Sequence, residues 1–279
     1  MIIDFHTHMF PDAIAAAALR QLEQNARDIS GEQAGIHPHT DGTANGLAES
    51  ANRAGIDVCV VMPIATSVKP SETLNTFAAA IDARPGLRSF GSVHPRCPRW
   101  QEELERVRAL GLRGIKLHPE YQDFFVDSPE GQAVVREAAR LGLWVLFHAG
   151  EDVGIAPPVH CTPERVARLR QAVPEAKLIL AHMGGYRLWK QVLPLLPALG
   201  AWLDTSFCIP NHPEAHELLA RVLRENGPEH VLFGTDSPWA DQQVSLQATR
   251  QFLADYGFSA EETAAILGGN AQRLLARQV

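Results

Sequence analysis

Short apolar segments rich in β-branched residues recur along the chain, and a segment with helical periodicity follows each one. Several are apolar at nearly every position, as in Val58-Cys59-Val60-Val61-Met62, which is typical of strands buried on both faces of a parallel sheet. The least regular of these segments contains Arg88 and Ser89. The pattern predicts eight strands: Ile2–His6, Asp57–Met62, Leu87–Val93, Gly114–His118, Trp144–His148, Lys177–His182, Ala201–Thr205 and Val231–Asp236.

Helix-start signals lie between the predicted strands. Ser128-Pro129 and Thr162-Pro163 each place an N-cap residue before a proline at the first helical position, and Ser259 lies three residues before Glu262, as in a capping box. Eight strand–helix units in 279 residues predict an α/β fold, a (β/α)8 TIM barrel. The alternative, an open doubly wound sheet, usually has a glycine-rich phosphate loop after its first strand, where this chain has His-Thr-His.

Residues 25–46 form the least regular region, and they follow the first predicted strand. In a barrel, we expect them to form a lid-like loop over the face that carries the active site, and a surface loop without chemistry is the alternative. We predict one domain over residues 1–279, because α/β barrels of roughly 250 residues commonly form one domain.

Composition and charge exclude several classes of partner. The formal net charge is −7 and no basic stripe occurs, so we expect no nucleic-acid partner. No apolar stretch approaches the ~20 residues that span a bilayer, and the first residues predict a strand rather than a signal peptide. The four cysteines are widely spaced without a CxxC pair, which favours a reducing, cytoplasmic location.

Residues that can bind a metal ion cluster at the ends of the predicted strands. A barrel brings all its strand ends to one face, and side chains two positions apart in a strand point the same way, so His6 and His8 can share one ion. With His148 and Asp236 they form a mixed nitrogen and oxygen set that favours Zn²⁺, with Mn²⁺, Fe²⁺ or Co²⁺ as alternatives. Such an ion lowers the pKa of a bound water to about 7 and makes hydroxide available.

Further polar residues have more than one interpretation. Asp236 could also accept a proton from the attacking water, and His182 could either act in catalysis or bind a second ion. Glu120 is the acidic candidate for that second ion, whereas Lys116 could bridge two ions only after carbamylation, and an ion pair is its alternative.

Four residues are predicted to bind substrate: Lys116, His118, Arg187 and Trp239. The guanidinium of Arg187 could clamp a carboxylate, and the indole of Trp239 could form a wall of the site. Packing or helix-surface roles are the alternatives for both residues.

The motifs that carry these residues resemble the amidohydrolase superfamily, and within it the branch that includes aminocarboxymuconate-semialdehyde decarboxylase. The resemblance implies a slightly distorted barrel with His6, His8, His148 and Asp236 as metal ligands. It implies that His182 is catalytic in a one-metal enzyme or a ligand in a two-metal enzyme. The matching motifs are Asp4-Phe5-His6-Thr7-His8, Gly114-Ile115-Lys116-Leu117-His118-Pro119, Leu146-Phe147-His148-Ala149-Gly150, Leu180-Ala181-His182-Met183-Gly184-Gly185 and Phe233-Gly234-Thr235-Asp236-Ser237-Pro238-Trp239.

Two-metal relatives often place a Glu or a modified Lys at the end of the fourth strand itself. Glu120 is displaced from that position by two residues, which favours one ion over two. The branch contains both hydrolases and non-oxidative decarboxylases. We expect a metal-dependent hydrolase of a small-molecule amide, ester or lactone. A decarboxylase of an unsaturated or aromatic carboxylic acid is the alternative, and a metal-binding protein without catalysis is a third. Barrels of this size often form dimers, so a homodimer is compatible with the sequence.

Overall fold

Eight parallel strands in the computed structural model correspond to the eight predicted segments. The structure describes residues 1–32 and 35–276. Most strands are shorter than predicted, because the polar residues at their ends lie in the loops that follow. The strands are β1 (Ile3–Thr7), β2 (Val58–Val61), β3 (Leu87–Ser89), β4 (Gly114–Leu117), β5 (Trp144–Phe147), β6 (Lys177–Leu180), β7 (Trp202–Asp204) and β8 (Val231–Leu232).

The strands form two parallel arcs, β1-β2-β3 and β4-β5-β6-β7-β8, which join at two narrow seams. At one seam Gly91 pairs with Ile115, and the Gly91 amide donates to the carbonyl of Gly114 over 2.8 Å. At the other seam Thr7 pairs with Ser237, and the Asp236 amide donates to the carbonyl of His6, also over 2.8 Å. The arcs therefore close into a barrel, which confirms the predicted TIM-barrel fold.

Helices follow the strands and cover the outside of the barrel. The predicted N-caps are present: Ser128 accepts from the amide of Gly131, Thr162 accepts from that of Arg165, and Ser259 forms its capping box with Glu262. In the described residues the α-helices are α1 (Asp12–Ser30), α2 (Ala44–Ala54), α3 (Glu72–Asp82), α4 (Trp100–Ala109), α5 (Pro119–Gln122), α6 (Pro129–Arg140), α7 (Pro163–Ala172), α8 (Trp189–Leu199), α9 (His216–Asn226), α10 (Gln242–Asp255), α11 (Ala260–Ala264) and α12 (Asn270–Leu275). None of them has both the length and the apolar character that crossing a bilayer requires.

Apolar side chains fill the barrel below the strand ends. Phe5 and Phe90 meet there edge to face with their ring centroids 5.7 Å apart, and Leu146 and Ile179 pack in the same cluster. This interior is a packed core rather than a pore, as is usual for an eight-stranded barrel. A functional site therefore has room only above it, at the carboxyl ends of the strands.

The predicted loop over residues 25–46 is shorter than expected. Helix α1 continues to Ser30 and α2 begins at Ala44, so both ends of that region are helical; residues 33 and 34 lie outside the described part of the chain. The prediction was wrong at its first end because the alanine-rich start of α1 favours helix strongly enough to extend into a polar stretch. The segment lies over the strand ends, since the amide of His39 donates to the carbonyl of Pro238 over 2.7 Å.

Candidate metal centre and active site

Local distortions in β1 and after β8 bring three predicted ligands together. One extra residue between Asp4 and Thr7 shifts the register of β1 against β2, which is a β-bulge, a feature that often re-aims side chains near active sites. The Nε2 atoms of His6 and His8 lie 3.2 Å apart. The Oδ1 atom of Asp236 lies 3.2 Å from His8 Nε2 and 3.5 Å from His6 Nε2.

Backbone conformation and close packing help to place Asp236. Its φ of 72° is unusual for a residue other than glycine, and such strained positions cluster at functional sites. A side chain on Gly234 would have its Cβ 2.9 Å from the Cβ of His6, so glycine at this position lets β8 approach β1 closely. The carboxylate consequently faces the two imidazoles.

Hydrogen bonds fix the two imidazoles in the form that binds a cation. His6 Nδ1 lies 2.8 Å from Asp204 Oδ2, and His8 Nδ1 lies 2.9 Å from the carbonyl oxygen of Met62. Both oxygens are acceptors, so each Nδ1 carries the hydrogen and each Nε2 presents a lone pair. Two lone pairs and a carboxylate then face one another, an arrangement that a divalent cation would satisfy and that suits nitrogen and oxygen ligation.

Charges and burial set the protonation of this group. Burial and the ammonium of Lys116 lower the pKa of His6 to about 4, so its imidazole is neutral, as a metal ligand must be. Burial alone would raise the pKa of Asp236, but its contacts with His8 and His6 lower it overall. The carboxylate is therefore ionised and adds negative charge to the cation site.

Asp204 was missed by the sequence analysis. It ends β7 and, besides contacting His6, accepts a hydrogen bond from the amide of His182 over 3.0 Å. Burial alone would raise its pKa, but His6 lowers it overall, so Asp204 is a buried carboxylate that orients two histidines. The feature of the sequence that could have identified Asp204 is its position as a polar residue near the end of an apolar predicted strand.

The structure does not bring His148 into this group. Its Nε2 lies 3.1 Å from the carbonyl oxygen of Glu151 and its Nδ1 lies 3.0 Å from Nε2 of His182, so both ring nitrogens already have partners. His148 instead belongs to a second group of close metal-binding atoms, with His118 and Asp152. The rings of His118 and His148 stack with their centroids 4.1 Å apart.

The predicted second-metal pair, Glu120 and His182, is not assembled either. Glu120 Oε1 accepts from the amide of His160 over 2.9 Å, and burial raises the pKa of this carboxyl group to about 7. His182 Nδ1 lies 3.0 Å from the carbonyl oxygen of Ser206. Among the described residues, neither side chain belongs to a group of three close metal-binding atoms.

Three of the four predicted substrate-binding residues line one cavity of about 710 Å³ above the His6–His8–Asp236 group, namely Lys116, His118 and Trp239. The ammonium of Lys116 lies 3.2 Å from His6 Nε2, and burial lowers its pKa to about 8. Arg187 does not line the cavity. Its φ is 60° and its side chain is 46% exposed. It lies against two lining residues, with Nη1 3.7 Å from Glu151 Oε2 and its guanidinium carbon 5.1 Å from the centre of the Tyr186 ring, and its role as a carboxylate clamp stays a prediction.

A chain of hydrogen bonds leads from the cavity wall to the surface. The hydroxyl of Tyr186, which lines the cavity, lies 2.9 Å from Nε2 of His212, whose Nδ1 lies 2.8 Å from Oε1 of Glu214. Because the carboxylate accepts from Nδ1, Nε2 accepts from the hydroxyl and fixes its orientation. Tyr186 lies far from His212 and Glu214 in the sequence and meets them only in the folded protein. No sequence motif could therefore predict this series of hydrogen bonds.

Three solved structures share this fold at low sequence identity. 5-Carboxyvanillate decarboxylase from Sphingomonas paucimobilis superposes with a TM-score of 0.70 at 19% identity, over 98% of both chains. A dihydroxybenzoic acid decarboxylase from Polaromonas sp. JS666, with bound manganese and 2-nitroresorcinol, gives 0.69 at 16% identity, over 98% of this chain and 96% of its own. A probable 2-pyrone-4,6-dicarboxylic acid hydrolase from Acinetobacter baumannii, with citric acid bound, gives 0.65 at 17% identity, over 98% of both.

A comparison with curated protein sequences finds no match. A family model described as amidohydrolase, however, matches residues 3–277, which is nearly the whole chain. That match covers every strand and all the strand-end motifs on which the resemblance depends, and so confirms it. The chain belongs to the amidohydrolase family and is an enzyme of the amidohydrolase superfamily.

Proposed function

We propose that the protein is a metal-dependent, non-oxidative decarboxylase of an unsaturated or aromatic carboxylic acid. The observation that carries this proposal is the compact group of His6, His8 and Asp236 at the floor of a cavity with largely apolar walls. The solved structures of similar fold include several decarboxylases, which supports the alternative of the sequence analysis over its first expectation, hydrolysis.

His6, His8 and Asp236 would hold the metal ion. His148, the fourth ligand that the family resemblance implies, would join them only after its Nε2 leaves the carbonyl of Glu151. When bound, a divalent ion supplies positive charge that orients the carboxylate of the substrate. Lys116 adds a second positive charge within 3.2 Å of His6. Both charges lie at the floor of the cavity, so the acid group of a substrate would be drawn there.

The walls above that floor favour loss of carbon dioxide. Tyr121, Phe207 and Trp239 line the cavity and can pack against a planar unsaturated or aromatic group. A carboxylate concentrates its charge, whereas the transition state spreads that charge into the departing carbon dioxide and the π system. The apolar walls therefore suit the π system into which the charge spreads, while the ion and Lys116 would hold the carboxylate at the floor.

The reaction needs one proton at carbon. The bond between the ring or alkene carbon and the carboxylate breaks, its electron pair stays on that carbon, carbon dioxide leaves, and a proton takes its place. We assign delivery of this proton to His182, which lines the cavity and is held by Asp204 and Ser206. Because its Nδ1 donates to the carbonyl of Ser206, its Nε2 must first take up from solvent the proton that it delivers. No oxidant or water molecule is consumed.

The proposal is tested by incubating the metal-loaded enzyme with a panel of unsaturated and aromatic carboxylic acids in heavy-oxygen water. We expect one carbon dioxide per product, with no heavy oxygen in the product. Turnover of esters, lactones or amides with heavy oxygen in the product and no carbon dioxide would overturn decarboxylation. That outcome would establish the second candidate, hydrolysis, for which the carboxylate of Asp236, 3.2 Å from His8 Nε2, lies where a water on the ion would bind.

A further inference from the structure

Helix α1 crosses the mouth of the barrel. It begins at Asp12, shortly after β1, and the hydroxyl of Ser30 at its other end donates to the carbonyl of Val153, beyond β5, over 2.6 Å. Strands β1 and β5 stand on opposite sides of an eight-stranded ring, and 19 helical residues span about 28 Å. The helix is therefore a roof over the cavity.

One face of the roof lines the cavity. Its lining residues recur at helical spacing, at Ile14, Ala18, Leu22 and Ala26, with Gln21 as the polar member. Small alanine side chains on this face leave space below the helix. Ile14 is 52% exposed although it is a large apolar residue, which places apolar surface at the entrance.

The wall that faces the roof is also apolar. Ile64 and Pro70 come from the segment after β2, and Leu74 and Phe77 come from α3. Lys69 is the charged residue that this segment contributes to the lining. The strand-end charges thus occupy the floor of the cavity, and the space between α1 and α3 has mainly apolar walls.

We propose that the space between α1 and α3 holds an uncharged apolar extension of the substrate, an inference that rests on the proposed decarboxylase function. The substrate class is then an amphiphilic monocarboxylic acid, with its reacting end at the His6–His8–Asp236 group and an alkyl or aryl chain under α1. The cavity volume of about 710 Å³ lies within the roughly 300–1,000 Å³ of pockets that enclose drug-sized ligands, so it exceeds the needs of a one-ring acid.

The effect of the length of a ligand's alkyl chain on Kd tests this inference, and the test requires no turnover. The probes are para-alkylbenzoates of increasing chain length, titrated calorimetrically into the zinc-loaded enzyme. Each added methylene removed from water should tighten Kd about fourfold until the space is filled, after which Kd levels off. A Kd that does not depend on chain length would overturn the inference.

Two variants test whether the alkyl chain of the probe binds under α1. Ala18→Phe should weaken binding of the longest probe at least about tenfold and leave the shortest within about twofold, because the ring fills the space under the roof. Leu22→Ala should weaken the longest probe by removing contacts. The matched control, Ala16→Phe, makes the same change at an exposed position of α1 that does not line the cavity and should leave every Kd unchanged.

The outcomes separate the two proposals. Length-dependent binding of the probes, with no carbon dioxide released from the panel of unsaturated and aromatic acids, would refute decarboxylation and leave the apolar extension standing. Release of carbon dioxide from short acids, with Kd independent of chain length and of Ala18→Phe, would refute the extension and leave decarboxylation standing. Thermal melting of each variant verifies that it is folded.

Discussion

In both His6 and His8, one ring nitrogen donates a hydrogen bond to a fixed acceptor, which leaves the other ring nitrogen with a lone pair for a cation. Asp204 holds His6, and the carbonyl of Met62 holds His8. The spacing of the two histidines predicted that their side chains lie together, and the structure agrees. Asp204 could not be assigned from spacing, since nothing in the sequence states which strand ends stand side by side.

The proposed ligand set predicts how replacing a single residue affects metal binding and turnover. Asp236→Asn should abolish metal-dependent turnover, because the amide cannot supply the negative charge that Asp236 directs at the cation site. His148→Ala should still bind one ion, about 10- to 100-fold more weakly, because three donors are already together without it. Metal content and turnover after dialysis against limiting zinc measure both effects.

A fully active Asp236→Asn enzyme would contradict the proposed site. Complete loss of metal from His148→Ala would show that this histidine is an indispensable ligand and must leave the carbonyl of Glu151. Circular dichroism of both variants should match the parent protein, because neither change touches the packed interior of the barrel.

Asp204→Asn tests a residue that acts through His6. The amide can still accept a hydrogen bond but loses the charge that orients and polarises the imidazole, so we expect a 10- to 100-fold loss of metal affinity or activity. Zinc titration against a competing chelator measures the affinity. Asp28→Asn, an exposed change in α1, is the control and should have no effect. Equal affinities for all three proteins would refute the role of Asp204.

Glu120 gives a prediction about pH. Burial raises the pKa of its carboxyl group from 4.5 to about 7 in the folded protein, so the folded state binds more protons than the unfolded state between these values. The contribution of Glu120 to the free energy of unfolding is therefore present below about pH 4.5 and is lost as the pH rises through 7. Glu120→Gln should flatten this part of the pH dependence.

Denaturant unfolding at several pH values between 4 and 8 (roughly the window of this titration) measures the effect on the free energy of unfolding. Glu164→Gln, at a position in the first turn of α7 that is not part of the cavity, is the matched control. An unchanged slope in Glu120→Gln would contradict a raised pKa for Glu120.

Single elements were predictable to different degrees. The strands and the capped starts of α6, α7 and α11 carry their signals within a few residues, so they could be located. The bulge in β1 could not, because it is defined by register against β2. The end of α1 was missed because polar residues on an exposed helix face resemble a loop when the covered face is not known.

The whole barrel was predictable from the alternation of its strands and helices, but its pockets were not. Distant segments meet in the cavity, and its apolar roof depends on where α1 crosses rather than on any motif in α1. Arg187 shows the limit of a position after a strand end as a signal, because its side chain contacts Glu151 and Tyr186 of the cavity wall without being a lining residue itself.

The proposed metal site lies at one of the two seams, where a bound ion would help to hold the barrel together. His6 and His8 come from the three-stranded arc, and Asp236 follows the last strand of the five-stranded arc. An ion bound to all three would therefore cross-link the two arcs at the seam between Thr7 and Ser237. Chelation should then lower Tm, since an ion at a thousand times its Kd stabilises the folded state by about 4 kcal/mol.

Amide hydrogen exchange would show where this cross-link by the ion stabilises the barrel. After chelation, exchange should accelerate at the amides of His8 and Asp236, which bond across the seam, and much less at that of Ala181, which bonds within the wider arc. Uniform acceleration would mean that the ion stabilises the barrel only as a whole. A ring that closes here through three backbone hydrogen bonds, from the amides of Phe5, His8 and Asp236, would then use its ion for shape as well as for chemistry.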